Sequence, residues 1–273
     1  MSAIKNIFTI LLVGLLLFGG CGRRKTKKVN HESTPPVELV IYCENTMLNM
    51  VVDLKERFEK EYNCTITLHN DCAKNLMGII KYSARGDLYI PASAHSFQHF
   101  HNNTGYHLKD SLFLGYNHLV YMVKKGNPRG FDGHVSSLMQ KGEYALMMAN
   151  AETSALGYET KAFLEYQGAY AEVLQSVVSL TSDAKGLAEG LQGNQADVAI
   201  NWGSNIYVNG NRNYIDVVRP QTAYQTAIPM YAAVLSCTTQ ANLARSFLDM
   251  AANELNESFL SRYGFSKRAT IIF

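Results

Sequence analysis

Apolar runs that suit β-strands alternate along this chain with segments that have the period of an amphipathic helix. The clearest case is the stretch VELVIYCENTMLNMVVDL, residues 37–54. Its first part is a continuous apolar run, typical of a strand covered on both faces. From Thr46 onward the apolar residues recur every three or four positions, which predicts a helix. Because Asn45 and Thr46 are residue types favoured at N-caps, the helix is expected to begin there.

The same order of strand and helix repeats along the chain. Strands are predicted at 64–69, 86–93 and 118–128, and helices at 70–84 and around 96–100. A strand, loop and helix are predicted within 144–168, followed by a strand and turn at 196–205. This alternation predicts an α/β fold with mostly parallel sheets and helices on both faces. Such sheets bind ligands at the carboxyl ends of their strands, where helices begin.

Four predicted strand-to-helix turns, at Thr46, Cys72, Ser154 and Trp202, can face one cleft. The start of a helix presents unpaired backbone N–H groups and the positive end of the helix dipole, so several starts together can hold an anion. The alternative is that these are the capped turns that any α/β protein has. The residues alone leave both interpretations open.

Residues 1–20 have the features of a bacterial lipoprotein signal peptide. Lys5 precedes an apolar block, residues 7–18, which is too short to span a membrane stably and ends in FGGCG. We expect cleavage before Cys21 and acylation of that residue; ordinary secretion with no role for Cys21 is the alternative. Residues 21–36 are basic, polar and end in two prolines, which predicts a flexible tether. The expected location is the periplasmic side of a membrane or the cell surface.

The basic charge of the chain is concentrated before the predicted folded part. The whole chain has 25 Lys and Arg residues against 23 Asp and Glu residues. Six of the basic residues lie in the leader or the tether: Lys5, Arg23, Arg24, Lys25, Lys27 and Lys28. Without these six the balance is acidic, so no nucleic-acid partner is expected.

Several stretches, taken in order, resemble the periplasmic molybdate-binding proteins of ABC transporters. They are LVIYCENTMLNMVVDLKERFEKEYNCTITLHNDCAKNLMGIIKYSARGDLYIPAS, FLGYNHLVYMVKKGNP, ANAETSALGYETKAFLEYQG, SDAKGLAEGLQGNQADVAINWGSN and FLSRYGFSK. The resemblance implies a type II periplasmic-binding-protein fold of two α/β lobes. Lobe I is expected at 37–117 plus 221–273 and lobe II at 118–220. It also implies a monomer that binds a molybdate- or tungstate-like oxyanion between the lobes and delivers it to an ABC permease and ATPase.

The resemblance also implies which residues contact the ligand. Thr46 falls at a hydroxyl ligand, Ala73 at a Ser of which only the N–H remains, and Leu156 and Ala184 at backbone donors. Trp202 replaces a Tyr; its indole N–H can still donate to an anion, or the ring can form an apolar wall. The complete expected set is Asn45, Thr46, Cys72, Ala73, Ser154, Ala155, Leu156, Ala184 and Trp202.

Two carboxylates in the expected ligand loops depart from the family pattern. Glu44 and Asp71 would repel a dianion, at a cost on the order of 1–4 kcal/mol for charges about 4 to 6 Å apart. They must point away, be bridged by a cation, or indicate another ligand. The alternative functions are therefore the same fold binding a metal complex or a small polar organic molecule, or a surface enzyme or sensor.

Other candidate chemistry in the chain is weaker. Cys43 and Cys72 follow neighbouring predicted strands, so either a disulfide at the cleft or two buried thiols is expected. His95 and His99 are four residues apart, with His101 nearby, but no carboxylate completes a metal site. The sequence has none of the motifs G-x-S-x-G, H-E-x-x-H, G-x-x-x-x-G-K-[ST] or G-x-G-x-x-G. Neither an enzyme nor a cofactor is expected.

Overall fold

The strands form in the order that the sequence predicts, with additional ones at 177–181, 215–218 and 227–235. The computed structural model describes residues 36–269; Cys21, the predicted signal peptide and the tether up to residue 35 lie outside them. Within the described residues nine strands form one mixed sheet. They are β1 (Val37–Glu44), β2 (Cys64–Asp71), β3 (Leu88–Ile90), β4 (Leu108–Lys124), β5 (Leu146–Ala149), β6 (Val177–Thr181), β7 (Val198–Trp202), β8 (Ile215–Val218) and β9 (Ala227–Leu235).

Helices follow most of the strands and begin at their carboxyl ends. In residues 36–269 they are α1 (Leu48–Glu61), α2 (Ala73–Ser83), α3 (Ala94–Gln98), α4 (Phe100–Thr104), α5 (Val135–Leu138), α6 (Ala155–Tyr166), α7 (Tyr170–Leu174), α8 (Ala184–Gln192), α9 (Ala241–Glu254) and α10 (Glu257–Ser261). Three-residue-per-turn 3-10 helices occupy Asn45–Met47, Gly203–Tyr207 and Asn211–Asn213. Over residues 36–269, no helix combines the length and the apolar composition needed to cross a membrane.

β1 is buried on both faces, as its continuous apolar sequence predicts. Successive side chains of a strand point to opposite faces of the sheet. Ile41 lies in the large core cluster with Leu54 and Phe58 of α1. Tyr42 lies in a second cluster with Leu76 of α2. The two helices therefore cover opposite faces of β1, and each starts close to the end of a strand.

The sheet consists of two parallel groups joined by antiparallel strands. Its order is β2-β1-β3-β9-β4-β7-β5-β6, with β8 paired to β4. β1 runs parallel to β2 and β3, and β5 runs parallel to β6 and β7. β4 and β9 run antiparallel to their neighbours. The predicted two-lobed α/β class is confirmed, with a mixed sheet.

β4 and β9 connect the two lobes. β4 pairs with β9 up to His118 and with β7 from Leu119 onward. This change of partner falls where the sequence predicts the border between lobe I (37–117 plus 221–273) and lobe II (118–220). The exact lobe boundaries stay a prediction.

Candidate functional site

The turn between β1 and α1 presents Asn45 and Thr46 to a cavity. The 3-10 helix Asn45–Met47 joins the strand to α1, so that Glu44 and Met47 occupy the N-cap positions. Neither side chain caps its helix with a hydrogen bond. The expectation that Asn45 or Thr46 caps the helix is wrong, because the added turn moves the cap positions to their neighbours. Both polar side chains remain half-buried.

The cavity beside this turn, here named the Thr46 cavity, has a volume of about 400 Å³. The end of β2, the start of α8 and the 3-10 helix that follows β7 form its other walls. Its lining includes Asn45, Thr46, Asn70, Asp183, Ala184 and Ser204. The amide Nδ2 of Asn45 donates to Asp183 Oδ2 at 3.3 Å, a bond that joins the turn to α8. Three of the expected ligand residues thus share this cavity.

A second cavity of about 400 Å³, here named the His95 cavity, lies at the starts of α2 and α6. Three more expected residues line it, together with side chains of α3 and α6: Ala73, Ser154, Ala155, His95, Ser96 and Tyr158. His95 stacks on Tyr158, with ring centroids 3.2 Å apart and an interplanar angle of 13°. The backbone N–H of Lys74 donates to the carbonyl of Thr153 at 3.5 Å. These contacts join α2 and α3 to α6 across the cleft.

Three expected ligand residues lie beneath the cavities. Cys72, Leu156 and Trp202 are 8%, 2% and 1% exposed, and among the described residues they line neither cavity. Trp202 belongs to the main hydrophobic core and forms part of neither cavity wall. Ser154 lies at the His95 cavity, but its hydroxyl accepts the N–H of Gly157 at 3.0 Å and caps α6.

Three helices begin at the cavities. The first residues of α2, α6 and α8, which are Ala73, Ala155 and Ala184, line the cavity walls. The N-cap side chains of α6 and α8 accept the N–H groups of Gly157 and Gly186. The Lys74 N–H of α2 donates to the Thr153 carbonyl, and the remaining N–H groups of the first turns have no partner within their own helices. Together with the helix dipoles they form a setting suited to an anion.

The profile of a family described as bacterial extracellular solute-binding protein matches residues 39–266 of the chain. The chain belongs to this family. The match covers both lobes and therefore every cavity wall named above.

Solved structures with the same fold come from solute-binding proteins with different ligands. The substrate-binding domain assigned to a molybdenum ABC transporter from Clostridium difficile is 20% identical, over 85% of this chain and 99% of that one, with a TM-score of 0.62. The Azotobacter vinelandii periplasmic molybdate-binding protein is 13% identical, over 83% and 98%, with a TM-score of 0.66. A periplasmic thiamin-binding protein is 10% identical, over 87% and 85%, with a TM-score of 0.72. At these identities the likeness shows the fold alone. No curated protein sequence matches the chain.

This solute-binding protein buries two carboxyl groups next to residues that line its cavities. Glu44 and Glu159 are 5% and 8% exposed. Glu44 precedes Asn45 of the Thr46 cavity in the chain, and its side chain bonds to Ser96 of the His95 cavity. Glu159 lies one turn inside α6 and bonds to Ser93.

Burial raises the pKa of both carboxyl groups to about 7. Hydrogen bonds from the Ala92 N–H and the Ser96 hydroxyl partly offset this effect at Glu44, while the charge of Glu159 adds to it. The oxygen Oε1 of Glu44 has no hydrogen-bond partner in the described part of the chain. The sequence draws attention to Glu44 but not to Glu159. In the sequence Glu159 can be recognised only by its spacing. It lies four residues after Ala155 and therefore on the same, buried side of α6.

Asp71, the other carboxylate noted in the sequence, is bonded to the start of α2. Its Oδ1 accepts the backbone N–H of Cys72 at 2.7 Å, and Asn75 Nδ2 lies 3.1 Å from each of its oxygens. Cys72, an expected ligand residue, therefore already has a partner for its N–H. The sequence leaves three possibilities open for Asp71. The structure shows the first of them: the carboxylate points toward the start of α2.

The cysteines of the described chain are free thiols: Cys43, Cys64, Cys72 and Cys237. The disulfide considered between Cys43 and Cys72 is absent, so the buried-thiol alternative holds for residues 36–269. Burial raises the pKa of the Cys43 thiol to about 12, which keeps it protonated and unreactive.

The histidines noted in the sequence do not converge on a metal site. The rings of His95 and His99 have centroids 4.3 Å apart. His101 turns away from them: its Nδ1 donates to the carbonyl of Tyr106 at 3.0 Å, and its ring stacks on His107. Within residues 36–269 no group of three or more His, Cys, Asp or Glu side chains can hold a metal ion.

Proposed function

We propose that this protein is the lipid-anchored substrate-binding component of an ABC importer and captures a small oxyanion, molybdate- or tungstate-like, between its lobes. The observation that carries the proposal is the convergence of three helix starts, those of α2, α6 and α8, on the two cavities. Thr46 adds a hydroxyl on the opposite wall of one cavity. Each helix start contributes about 0.3–1 kcal/mol toward an anion, and up to about 2 kcal/mol when partly buried.

The closed arrangement supports capture by lobe closure. Asn45 binds Asp183, Lys74 binds Thr153 and His95 stacks on Tyr158, and all three contacts cross the cleft. Domain closure around a ligand is a common mechanism in periplasmic binding proteins. The closed monomer then docks on a membrane permease driven by an ATPase, as the molybdenum ABC transporter origin of a structural neighbour suggests.

The lipid anchor is proposed from the sequence around Cys21. We expect Cys21→Ser to abolish membrane association, because the acylated residue is lost, and to leave the folded part unchanged. The measurement is the partition of the protein between membrane and soluble fractions, with thermal unfolding as the control for folding. Recovery of the variant in the membrane fraction would rule out the anchor.

Calorimetric titration with molybdate, tungstate, sulfate and phosphate tests the ligand class. We expect heat of binding for at least one of these oxyanions and saturation at one ligand per chain. The absence of heat across the four anions would disprove the proposed ligand class while leaving the family assignment in place.

A small organic cation is the second candidate ligand. When Glu44 and Glu159 are ionised they favour an organic cation, because a positive charge between them would offset the free-energy cost of burying two carboxylates. Each cavity, at about 400 Å³, also exceeds what one tetrahedral oxyanion fills and lies in the usual range for small organic ligands. Adding thiamin to the titration panel, as a cation bound by a protein of this fold, separates the two candidates.

A further inference from the structure

The His95 cavity extends along α2. Lys74, Gly78, Lys81 and Tyr82 of this helix line it, together with the buried Met77. Spacings of four, three and one residues place the first four on neighbouring positions of the helix surface, and residues 74–82 span slightly more than two turns. The cavity therefore continues well past the helix start that is proposed to attract the oxyanion.

The other walls of the His95 cavity come from both sides of the cleft. His95, His99 and Asn103 belong to α3, α4 and the residue between them, whereas Glu152 and Tyr158 belong to α6 and the loop before it. The His95 ring stacks on the Tyr158 ring, so these walls meet. The volume of about 400 Å³ lies within the usual range of sites for small organic molecules.

Gly78 leaves part of the His95 cavity free at a cost to its own helix. Glycine inside a helix is less stable than alanine, and Gly78 lies in the middle of α2. Packing does not require it, because a Cβ atom at this position would meet nothing within 4 Å. The effect of the missing side chain is to keep space open along the helix, as a ligand lying across α2 would need.

The charged side chains of the His95 cavity favour an anion. Neither Lys74 nor Lys81 forms an ion pair within the part of the chain that the structure describes. Glu152 is the one carboxylate among the described residues that line the cavity. Two lysines against one glutamate leave a positive surplus that an anionic group would neutralise.

The aromatic side chains of the His95 cavity favour a planar ring. Tyr82 is 85% exposed and Tyr158 is 36% exposed, although both are large hydrophobic residues. Lys81 Nζ lies 5.8 Å from the centre of the Tyr82 ring, so a cation and an aromatic face are presented side by side. A ring that stacks on an exposed tyrosine covers apolar surface and gains an aromatic contact.

We propose that the His95 cavity is a second ligand site, which takes a small aromatic anion: a planar ring that stacks on the exposed tyrosines and carries a phosphate or carboxylate group paired with Lys74 and Lys81. A tetrahedral oxyanion has no ring to use these surfaces. The inference goes beyond the proposed function, because the Thr46 cavity, with the Thr46 hydroxyl and the start of α8, is left for the oxyanion.

The experiment is a calorimetric titration of the full chain with phenyl phosphate at neutral pH, without tungstate and with tungstate at saturation. We expect one phenyl phosphate per chain, bound with the same affinity in both cases. Phenol has the ring without the charge and inorganic phosphate has the charge without the ring, so each should bind more weakly than phenyl phosphate in the presence of tungstate. Benzoate as a second probe shows whether a carboxylate replaces the phosphate, and binding of either aromatic anion supports the site.

The Gly78→Leu variant fills the space along α2 with a residue that favours helices. We expect it to lose phenyl phosphate binding and to retain tungstate binding, with thermal unfolding as the control for folding.

Two further substitutions test the ring and the charge separately. Tyr82→Ala should weaken phenyl phosphate binding by about 5- to 150-fold, the worth of stacking on one aromatic side chain. Tyr214→Ala is its control, since Tyr214 is exposed and lines neither cavity. Lys81→Gln should weaken binding by about 2- to 5-fold, as expected for an exposed ion pair. Its control is Lys60→Gln, which removes the same charge from the exposed side of α1.

Failure of the inference and failure of the proposed function have different signatures. The second site is overturned if neither phenyl phosphate nor benzoate gives heat, or if tungstate displaces them. It is also overturned if Gly78→Leu and Tyr82→Ala bind phenyl phosphate as the natural protein does. If molybdate, tungstate and sulfate give no heat while phenyl phosphate binds and Gly78→Leu abolishes its binding, the proposed oxyanion ligand fails and the second site stands.

Discussion

At the scale of single residues, the Thr46 hydroxyl is free to bind a ligand. It caps neither the 3-10 turn nor α1, and it lines the Thr46 cavity. We expect Thr46→Ala to reduce oxyanion affinity by about 10- to 150-fold, the worth of one hydrogen bond to a charged group. Unfolding in urea should change by less than about 0.5 kcal/mol, since no cap is lost.

The Thr46→Ser variant is the control, because it keeps the hydroxyl and should keep most of the affinity. Calorimetry and urea unfolding on the same preparations separate binding from stability. Unaltered affinity in a folded Thr46→Ala variant would show that the hydroxyl has no part in the site.

The sequence directs attention to some of the residues that line the cavities and gives no sign of other buried polar residues, for identifiable reasons. Thr46 and Ala184 lie where helices start, a position that the pattern of apolar residues reveals. Glu159 was missed because one polar residue on a helix gives no sign of its burial until the partner lobe is in place. Trp202 was assigned by its position in the chain, yet its size places it in the core. Burial of large side chains depends on non-local packing, which local sequence does not report.

At the scale of elements, the start of α6 depends on close backbone packing at Gly157. A Cβ atom there would lie against the Asn150 carbonyl, closer than van der Waals contact allows. We expect Gly157→Ala to destabilise the protein by about 1–3 kcal/mol or more, because the Asn150 loop must move. Oxyanion affinity should fall too, since this loop leads directly into the cavity wall. Urea unfolding and calorimetry measure the two effects.

Gly78 of α2 provides the matched helical glycine, because a Cβ atom there would meet nothing within 4 Å. Gly78→Ala should stabilise the protein by about 0.5–1 kcal/mol through helix propensity. If the two substitutions changed the stability equally, the close backbone packing at Gly157 would not be important for the stability of α6.

The elements that the sequence misses are those formed by distant partners. The sequence predicts β4 from residue 118, but the strand begins at Leu108. Its first half pairs with β9 and carries register shifts between Lys109 and Leu112 and between Phe113 and Gly115. Such bulges break the two-residue alternation that marks a strand in sequence. β1, by contrast, is a continuous apolar run, and it forms where predicted.

At the scale of the whole molecule, the fold buries titrating groups of opposite effect. The pKa values of Glu44 and Glu159 rise from 4.5 to about 7, mainly through burial. The pKa values of His95 and His118 fall from 6.5 to about 4, again mainly through burial. The stability of the ligand-free protein therefore depends on pH through two opposing pairs.

The sign of each contribution follows from proton counting. Between pH 4.5 and 7 the folded glutamates hold more protons than the unfolded ones, so they lower stability as pH rises. Between pH 4 and 6.5 the unfolded histidines hold more protons, so they raise stability as pH rises. Below about pH 6.5 the two effects largely cancel. Above it the glutamate effect dominates, and we expect stability to fall by on the order of 1 kcal/mol by about pH 8.

Urea unfolding of the ligand-free protein at about pH 6.5 and pH 8 measures this difference. In the Glu44→Gln, Glu159→Gln double variant only the histidine contribution remains, so stability should rise slightly over the same interval instead of falling. Sign reversal between the natural protein and the variant assigns the effect to the buried pair, because surface carboxylates are fully ionised at both pH values. A natural protein that gains stability toward pH 8 would mean that Glu44 and Glu159 are already ionised in the closed form, which contradicts the raised pKa values of both groups.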